Sequence, residues 1–188
     1  DAVRDAMDIG DRLSAGAAVS IQGWLLIRQG RLDEAEQIAL ATAEAIEPRM
    51  SRASRDELGV WGRLVIKASS AAARNNRPSE AQEMLRLART AGAVLGDEGG
   101  GQDLKSGRFN ASLVPCHEIE NHMVAHRPDQ ALALAEHFSV ERAPTSNTRD
   151  RHLLDLVQAH VMLRHDAEAT AILADLAARV PDWLRHQQ

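Results

Sequence analysis

The chain has 188 residues, 44% hydrophobic and 26% charged, which is the composition of a folded globular protein. Its formal net charge of −5 argues against a nucleic-acid-binding surface of its own, because neutralising phosphates requires a basic excess. The single cysteine excludes an intrachain disulfide and is typical of a reducing compartment, so we expect a cytoplasmic protein. No apolar run is long enough to predict a membrane span.

The predicted elements are all helices, since apolar residues recur at helical spacing and no segment alternates strictly as a half-buried strand would. Residues 1–13 are interpreted as the remnant of a helix from an upstream unit, which suggests a fragment of a longer polypeptide. In chain order, helices are predicted over residues 14–29, 32–46, 56–74, 78–95, 110–125, 128–138, 149–163 and 167–180.

The connections between these helices carry typical boundary residues. Ser14 is a candidate N-cap for the first helix, and Gly30 is expected to close it in the left-handed conformation. The glycine-rich stretch within residues 96–107 predicts a flexible loop, and residues 141–148 predict a second linker. Pro181 should end the last helix, after which Trp183 is expected to fold back over its end.

One short pattern occurs four times, at residues 30–35, 76–81, 126–131 and 164–169. Each copy has a basic residue second, a carboxylate or amide fifth, and an alanine last. The copies begin 46, 50 and 38 residues apart, and each separates two predicted helices. A recurring helical hairpin at this period predicts a helical solenoid. The four units would span residues 14–48, 56–96, 108–140 and 149–181 of a single domain covering residues 1–188.

The turn residues resemble the tetratricopeptide pattern. Gly23, Gly30, Ala35, Ala39 and Pro48 match its small, glycine, alanine and proline positions in the first unit, and the middle units retain only the alanine. The resemblance implies an all-α, right-handed superhelix of about four helix-turn-helix repeats.

Three further stretches resemble the C-terminal region of bacterial helix-turn-helix regulators of the XRE, phage-repressor-like type. These stretches are residues 62–64 with 71–74, residues 109–117, and residues 181–184. The resemblance implies that a DNA-binding domain precedes this segment, and that DNA is contacted only through that domain. It further implies that the segment senses a small-molecule or peptide effector, pairs subunits as a homodimer, or does both. Trp61 and Trp183 are candidate dimer anchors, with core packing as the alternative.

In a right-handed array the first helix of each pair lines the concave side, so its inward positions predict a ligand groove. These positions are Trp24, Ile27, Arg28, Arg63, Ile66, Ser70, Arg74, Cys116, Glu120, Met123, Asp155 and Gln158, with Ser20 and Arg151 at equivalent places. Trp24 beside several arginines would suit a peptide carboxylate or an acyl chain with a polar head. The alternative is that Trp24 only packs between repeats.

No residue pattern assembles a catalytic or metal site. Glu118, His122 and His126 share a helix face at zinc-ligand spacing, but His122 falls where the repeat pattern places an aromatic ring, which favours packing. A pH-sensing histidine is a further alternative. Cys116 and His117 are adjacent on a helix and therefore diverge by about 100°. We therefore expect no enzyme activity, cofactor or metal.

Two functions follow from the sequence. The first is a ligand-sensing or dimerising domain of a transcriptional regulator. The alternative is a stand-alone tetratricopeptide adaptor that holds a protein tail in its groove.

Overall fold

The computed structural model describes residues 11–100 and 108–187. Most of the predicted remnant at residues 1–13, and part of the predicted loop at residues 96–107, lie outside this range. Within it the fold is all-α, as predicted. The helices are α1 (Arg12–Arg28), α2 (Leu32–Ala45), α3 (Arg55–Arg74), α4 (Pro78–Leu95), α5 (Leu113–Val124), α6 (Pro128–Ala135), α7 (Ser146–Met162), α8 (Asp166–Arg179) and α9 (Pro181–Arg185), with a short 3-10 turn at Val140–Arg142. None of the described helices is long and apolar enough to cross a bilayer.

The helices pack as hairpins, α1 with α2, α3 with α4, α5 with α6, and α7 with α8. The first helix of each hairpin also contacts the first helix of the next, so α1, α3, α5 and α7 form a continuous row. The main core is built from residues of the first five helices, α1 to α5. A smaller cluster joins α5, α6 and α7.

The four hairpin turns share one backbone geometry. Their positive-φ residues are Gly30 (74°), Asn76 (57°), His126 (55°) and Arg164 (61°). In every turn the following residue donates its N–H to the carbonyl five positions earlier at 2.9 Å, which is the long bond of a Schellman motif. The repeated pattern therefore encodes one turn four times, and the predicted left-handed closure at Gly30 is confirmed.

The alanines that end each copy are buried at the hairpin crossings. Ala35, Ala81, Ala131 and Ala169 are between 0% and 5% exposed, and each follows its turn by the same number of residues. A methyl group fills this position without separating the two helices, which explains why the last residue of the pattern is the most constant one.

Helix ends differ from the predicted ones where side chains cap the backbone. Asp11, not Ser14, caps α1, because its carboxylate accepts the Ser14 N–H at 3.0 Å. Ser54 and Glu57 form a capping box that starts α3. Thr145 accepts the N–H of Thr148, so α7 begins inside the predicted linker.

The two candidate dimer anchors, Trp61 and Trp183, differ in burial. Trp61 is 5% exposed and belongs to the main core, so its prediction as an interface anchor is wrong and its core alternative is confirmed. Trp183 on α9 is half-buried and donates its indole N–H to Asn147 Oδ1 at 2.9 Å. The end of the chain therefore folds back onto the start of α7, as expected.

Candidate functional site: a cationic cavity

A cavity of about 530 Å³ opens along the row formed by α1, α3, α5 and α7. Each of these four helices contributes side chains to its wall. Nine of the predicted groove residues line it, namely Trp24, Ile27, Arg28, Arg63, Ser70, Arg74, Cys116, Glu120 and Asp155. Of the two residues that the sequence placed at equivalent positions, Arg151 lines the same wall, whereas Ser20 is 3% exposed and lies outside the cavity.

Three predicted groove residues lie elsewhere. Ile66 is 2% exposed in the main core, Met123 packs in the cluster between α5 and α7, and Gln158 is exposed on α7 outside the cavity. On a helix, Ile66 lies about 60° to one side of Arg63, whereas Lys67 lies about 40° to the other. In the fold it is the Lys67 side of α3 that faces the cavity.

Lys67, His117 and His152 are the cavity residues with titratable side chains that sequence reasoning missed. Lys67 completes a stripe on α3 with Arg63, Ser70 and Arg74, at helical positions i, i+4, i+7 and i+11. This spacing was visible in the sequence. The direction in which the stripe faces was not.

A hydrogen-bonded network crosses the middle of the cavity. Arg74 Nη2 donates to Glu120 Oε1 at 2.5 Å, and Arg74 Nη1 donates to the Ser70 carbonyl at 3.1 Å. His117 Nδ1 lies 2.9 Å from the other Glu120 oxygen and 3.2 Å from Ser70 Oγ. Burial opposes ionisation of Glu120, yet His117 and Arg74 hold the pKa of its carboxyl well below its usual range.

The Ser70, His117 and Glu120 group contains the residue types of a hydrolytic triad but not its geometry. Both the serine hydroxyl and the carboxylate approach the same imidazole nitrogen, Nδ1. A triad histidine instead holds the carboxylate at one nitrogen and the hydroxyl at the other, so that it can transfer the proton. Here the network fixes the Glu120 carboxylate beside Arg74.

Two further cations of α3 lack such a carboxylate partner. Arg63 Nη1 donates to the Arg108 carbonyl at 3.0 Å, and its Nε is buried without a hydrogen-bond partner among the described residues. Burial lowers the pKa of Arg63 to about 10. Burial, together with the charges of Arg63, Arg74 and Arg151, lowers the pKa of Lys67 to about 8. Both side chains therefore still carry their charge near neutral pH.

Two groups on α7 complete the wall. Burial and the nearby Glu120 carboxylate raise the pKa of Asp155 to about 7, against the attraction of Arg151 and Arg74. His152 is 2% exposed and packs edge-on against Phe138, with 5.1 Å between ring centroids. Burial lowers the pKa of His152 to about 4, so its imidazole is neutral at physiological pH.

Trp24 forms the apolar rim of the cavity. It is 50% exposed, and the Arg28 guanidinium lies 5.8 Å from the centroid of its ring. A tryptophan that only packed between repeats would be covered, so the structure does not support that alternative. The rim offers a flat apolar surface next to a cation.

The candidate metal ligands and the candidate nucleophile Cys116 form no reactive site among the described residues. Within residues 11–100 and 108–187, no three His, Cys, Asp or Glu side chains are arranged to hold a metal ion. Glu118 is instead bound by Arg89 and by Gln82, the latter at 2.9 Å. Cys116 is 5% exposed, and burial raises the pKa of its thiol to about 12, which removes the reactive thiolate.

The site is thus a cavity of small-molecule size in which five cationic side chains, those of Arg28, Arg63, Lys67, Arg74 and Arg151, face the carboxylates of Glu120 and Asp155. The chain as a whole is acidic, so this positive balance is local. Comparisons with protein-family models, with curated proteins and with solved structures find no match.

Proposed function

We propose that this chain is the effector-binding domain of a helix-turn-helix transcriptional regulator, and that its four hairpins form a tetratricopeptide-like right-handed superhelix. The proposed domain is non-enzymatic, pairs subunits as a homodimer and leaves DNA contact to a separate N-terminal domain. One observation supports it above all, which is that the cavity wall takes side chains from the first helix of every hairpin.

This arrangement gives a bound molecule control over the whole array. In a repeat protein each hairpin contacts mainly its neighbours, so the curvature depends on small rotations between adjacent units. An effector that touches α1, α3, α5 and α7 together binds best at one curvature and shifts the population toward it. The attached DNA-binding domains would then change their spacing in the dimer.

The proposal is tested with the full-length product of the complete gene. Its reading frame should encode a helix-turn-helix domain ahead of Asp1, and the protein should bind its own promoter fragment. A compound that raises the melting temperature of the domain should change this DNA affinity by about 5-fold or more, the usual range of allosteric coupling. A reading frame without a DNA-binding domain would rule the proposal out.

A stand-alone adaptor is the second candidate, and the exposed face of α1 favours it. Ile21, Trp24 and Leu25 are 43%, 50% and 47% exposed on this helix, and Trp24 also lines the cavity, so a protein tail held in the cavity could extend over them. Substitution of Arg28 by alanine should then abolish capture of a defined partner protein. A sensor would instead show a melting shift with the small-molecule fraction of a cell extract.

A further inference from the structure

Among the residues that the structure describes, the cavity contains positive charges that no carboxylate neutralises. Two other half-buried arginines of the chain, Arg77 and Arg149, are neutralised by carboxylates. Arg77 pairs with Glu36 at 2.6 Å and with Asp33 at 3.0 Å, and Arg149 pairs with Asp150 at 3.3 Å. Arg63 and Lys67 have comparable burial, yet no described carboxylate lies within ion-pair distance of either. A partner of opposite charge from outside the chain would complete the pattern.

The nearby carboxylates do not fill this role. Glu120 is held by Arg74 and His117, which use both of its oxygens. Asp155 faces Glu120 and makes no ion pair among the described residues. Arg151 donates to the neutral Gln187 side chain at 3.2 Å, and Arg28 lies over Trp24. Four cations therefore surround the cavity without a fixed counter-charge in the described part of the chain.

The first turn of α7 adds to the positive electrostatic potential in the cavity. Asn147 and Thr148, its second and third residues, line the cavity. The N-terminus of this 17-residue helix carries a partial positive charge that favours anions, and of its N–H groups that of Thr148 is already bonded to Thr145 Oγ1. His152, one turn further, also lines the cavity and keeps a buried Nδ1 without a partner among the described residues. The start of α7 and the cations of α3 therefore both favour a negatively charged ligand.

The shape of the cavity limits what the anion can be. A volume of about 530 Å³ accommodates a small molecule and not a folded segment. Ile27, Leu113 and Trp24 supply apolar wall beside the cations. The ligand would therefore combine a compact anionic group with an apolar or ring-containing body.

We infer that the cavity binds a small molecule carrying a multiply charged anionic group, either a phosphate or a cluster of carboxylates, against Arg63, Lys67 and Arg151. This inference rests on the proposed function, because it names the chemical class of the effector. A single carboxylate would neutralise one cation and leave the repulsion among the others. A dianion or trianion compensates several at once.

Calorimetric titration of the chain at low ionic strength tests the inference, with pyrophosphate and citrate as probes and acetate as the monovalent control. We expect pyrophosphate, citrate or both to bind at one site and to raise the melting temperature, whereas acetate should do neither. Preference for pyrophosphate identifies a phosphate ligand, and preference for citrate identifies a polycarboxylate.

Two substitutions separate binding from folding. Lys67→Met should lower probe affinity at least about 10-fold while leaving the melting temperature of the free protein unchanged or higher, because a buried repulsive charge is removed. Asp155→Asn should raise both the affinity and the melting temperature. Arg86→Gln, on the exposed face of α4 and paired there with Glu83, is the control that should change neither.

The inference is overturned if neither polyanion binds, or if Lys67→Met binds them as tightly as the wild type. It is also overturned if a peptide with one free carboxylate binds where the polyanions do not. A neutral or cationic effector that alters DNA binding would remove this inference but keep the proposed function. Polyanion binding that needs Lys67 but leaves DNA affinity unchanged would support this inference and remove the proposed function.

Discussion

At the scale of single residues, Asp155 shows how neighbours decide the chemistry of a side chain. Its spacing on α7 predicted a groove position, and in the fold it is partly buried and close to the Glu120 carboxylate. Burial and this like charge raise the pKa of Asp155 to about 7. The folded protein therefore binds this proton more tightly than the unfolded chain, in which an aspartate carboxyl has a pKa of about 3.8.

The sign of the pH dependence follows from linkage. Below about pH 4 the carboxyl is protonated in both states and costs nothing. As the pH rises from about 4 to about 7, the unfolded chain ionises first, so this group lowers the free energy of unfolding progressively. Above pH 7 the penalty is complete.

Asp155→Asn should therefore stabilise the protein at pH 8 and not at pH 4. We expect a gain of about 1–3 kcal/mol at pH 8, which is less than the full linkage value because the cavity is open to solvent. Urea unfolding of both proteins across this pH range measures the difference. Glu83→Gln, an exposed change of the same kind on α4, should stay within about 0.5 kcal/mol at every pH. An equal gain in the free energy of unfolding at both pH values would contradict the raised pKa of Asp155.

At the scale of the elements, the four hairpins share one turn but not one turn residue. Gly30 adopts a φ of 74° at no steric cost, whereas Asn76, His126 and Arg164 hold the same conformation with a side chain. A Cβ built on Gly30 meets nothing within 4 Å, so any penalty for adding one arises in the backbone itself.

Gly30→Ala and Gly23→Ala should have opposite effects on stability. At Gly30 the methyl group forces a left-handed alanine and should destabilise the protein by about 1–2 kcal/mol. At Gly23, inside α1, an added Cβ makes only ordinary contact with Lys67 at 3.6 Å, and alanine should stabilise the helix by up to about 1 kcal/mol. Thermal unfolding of the two variants measures both signs. Destabilisation by both would show that Gly23 is needed for close packing.

At the scale of the whole molecule, burial is concentrated in the middle of the chain. Helix α3 contributes Leu58, Trp61, Leu64, Ile66 and further residues to the main core. Helix α8 buries only Ala169 and Leu176, and α9 buries none of its residues. In a repeat array each unit depends on its neighbours, so a terminal unit with little buried surface opens at low free energy.

Amide hydrogen exchange should therefore follow a gradient along the array. We expect the slowest exchange in α3 and α4, and exchange at least about 100-fold faster in α8 and α9. Mass spectrometry of peptides at neutral pH resolves these helices. A saturating cavity ligand should slow exchange most in α7, which has the fewest buried residues of the four helices that line the cavity. Uniform protection from α3 to α9 would mean that the fold opens as one unit.

The local structure of this protein could be predicted from its sequence, because the forces that set it act within a few residues. The predicted bounds of α4, Pro78 to Leu95, agree with the structure, and the four turns lie where the repeated pattern put them. Helix periodicity, αL closure and proline at the first turn are all local properties. Capping by Asp11 is local too, and only the choice among neighbouring cap residues was missed.

Which residues line the cavity was determined by the tertiary structure. Ile66 and Lys67 are neighbours on one helix, and only the packing of the other helices around α3 places Lys67 at the cavity and Ile66 in the core. The altered pKa values of Lys67 and Asp155 likewise depend on charges brought together from α3, α5 and α7. Such convergence depends on how side chains of distant segments pack, and no spacing within a single helix contains that information.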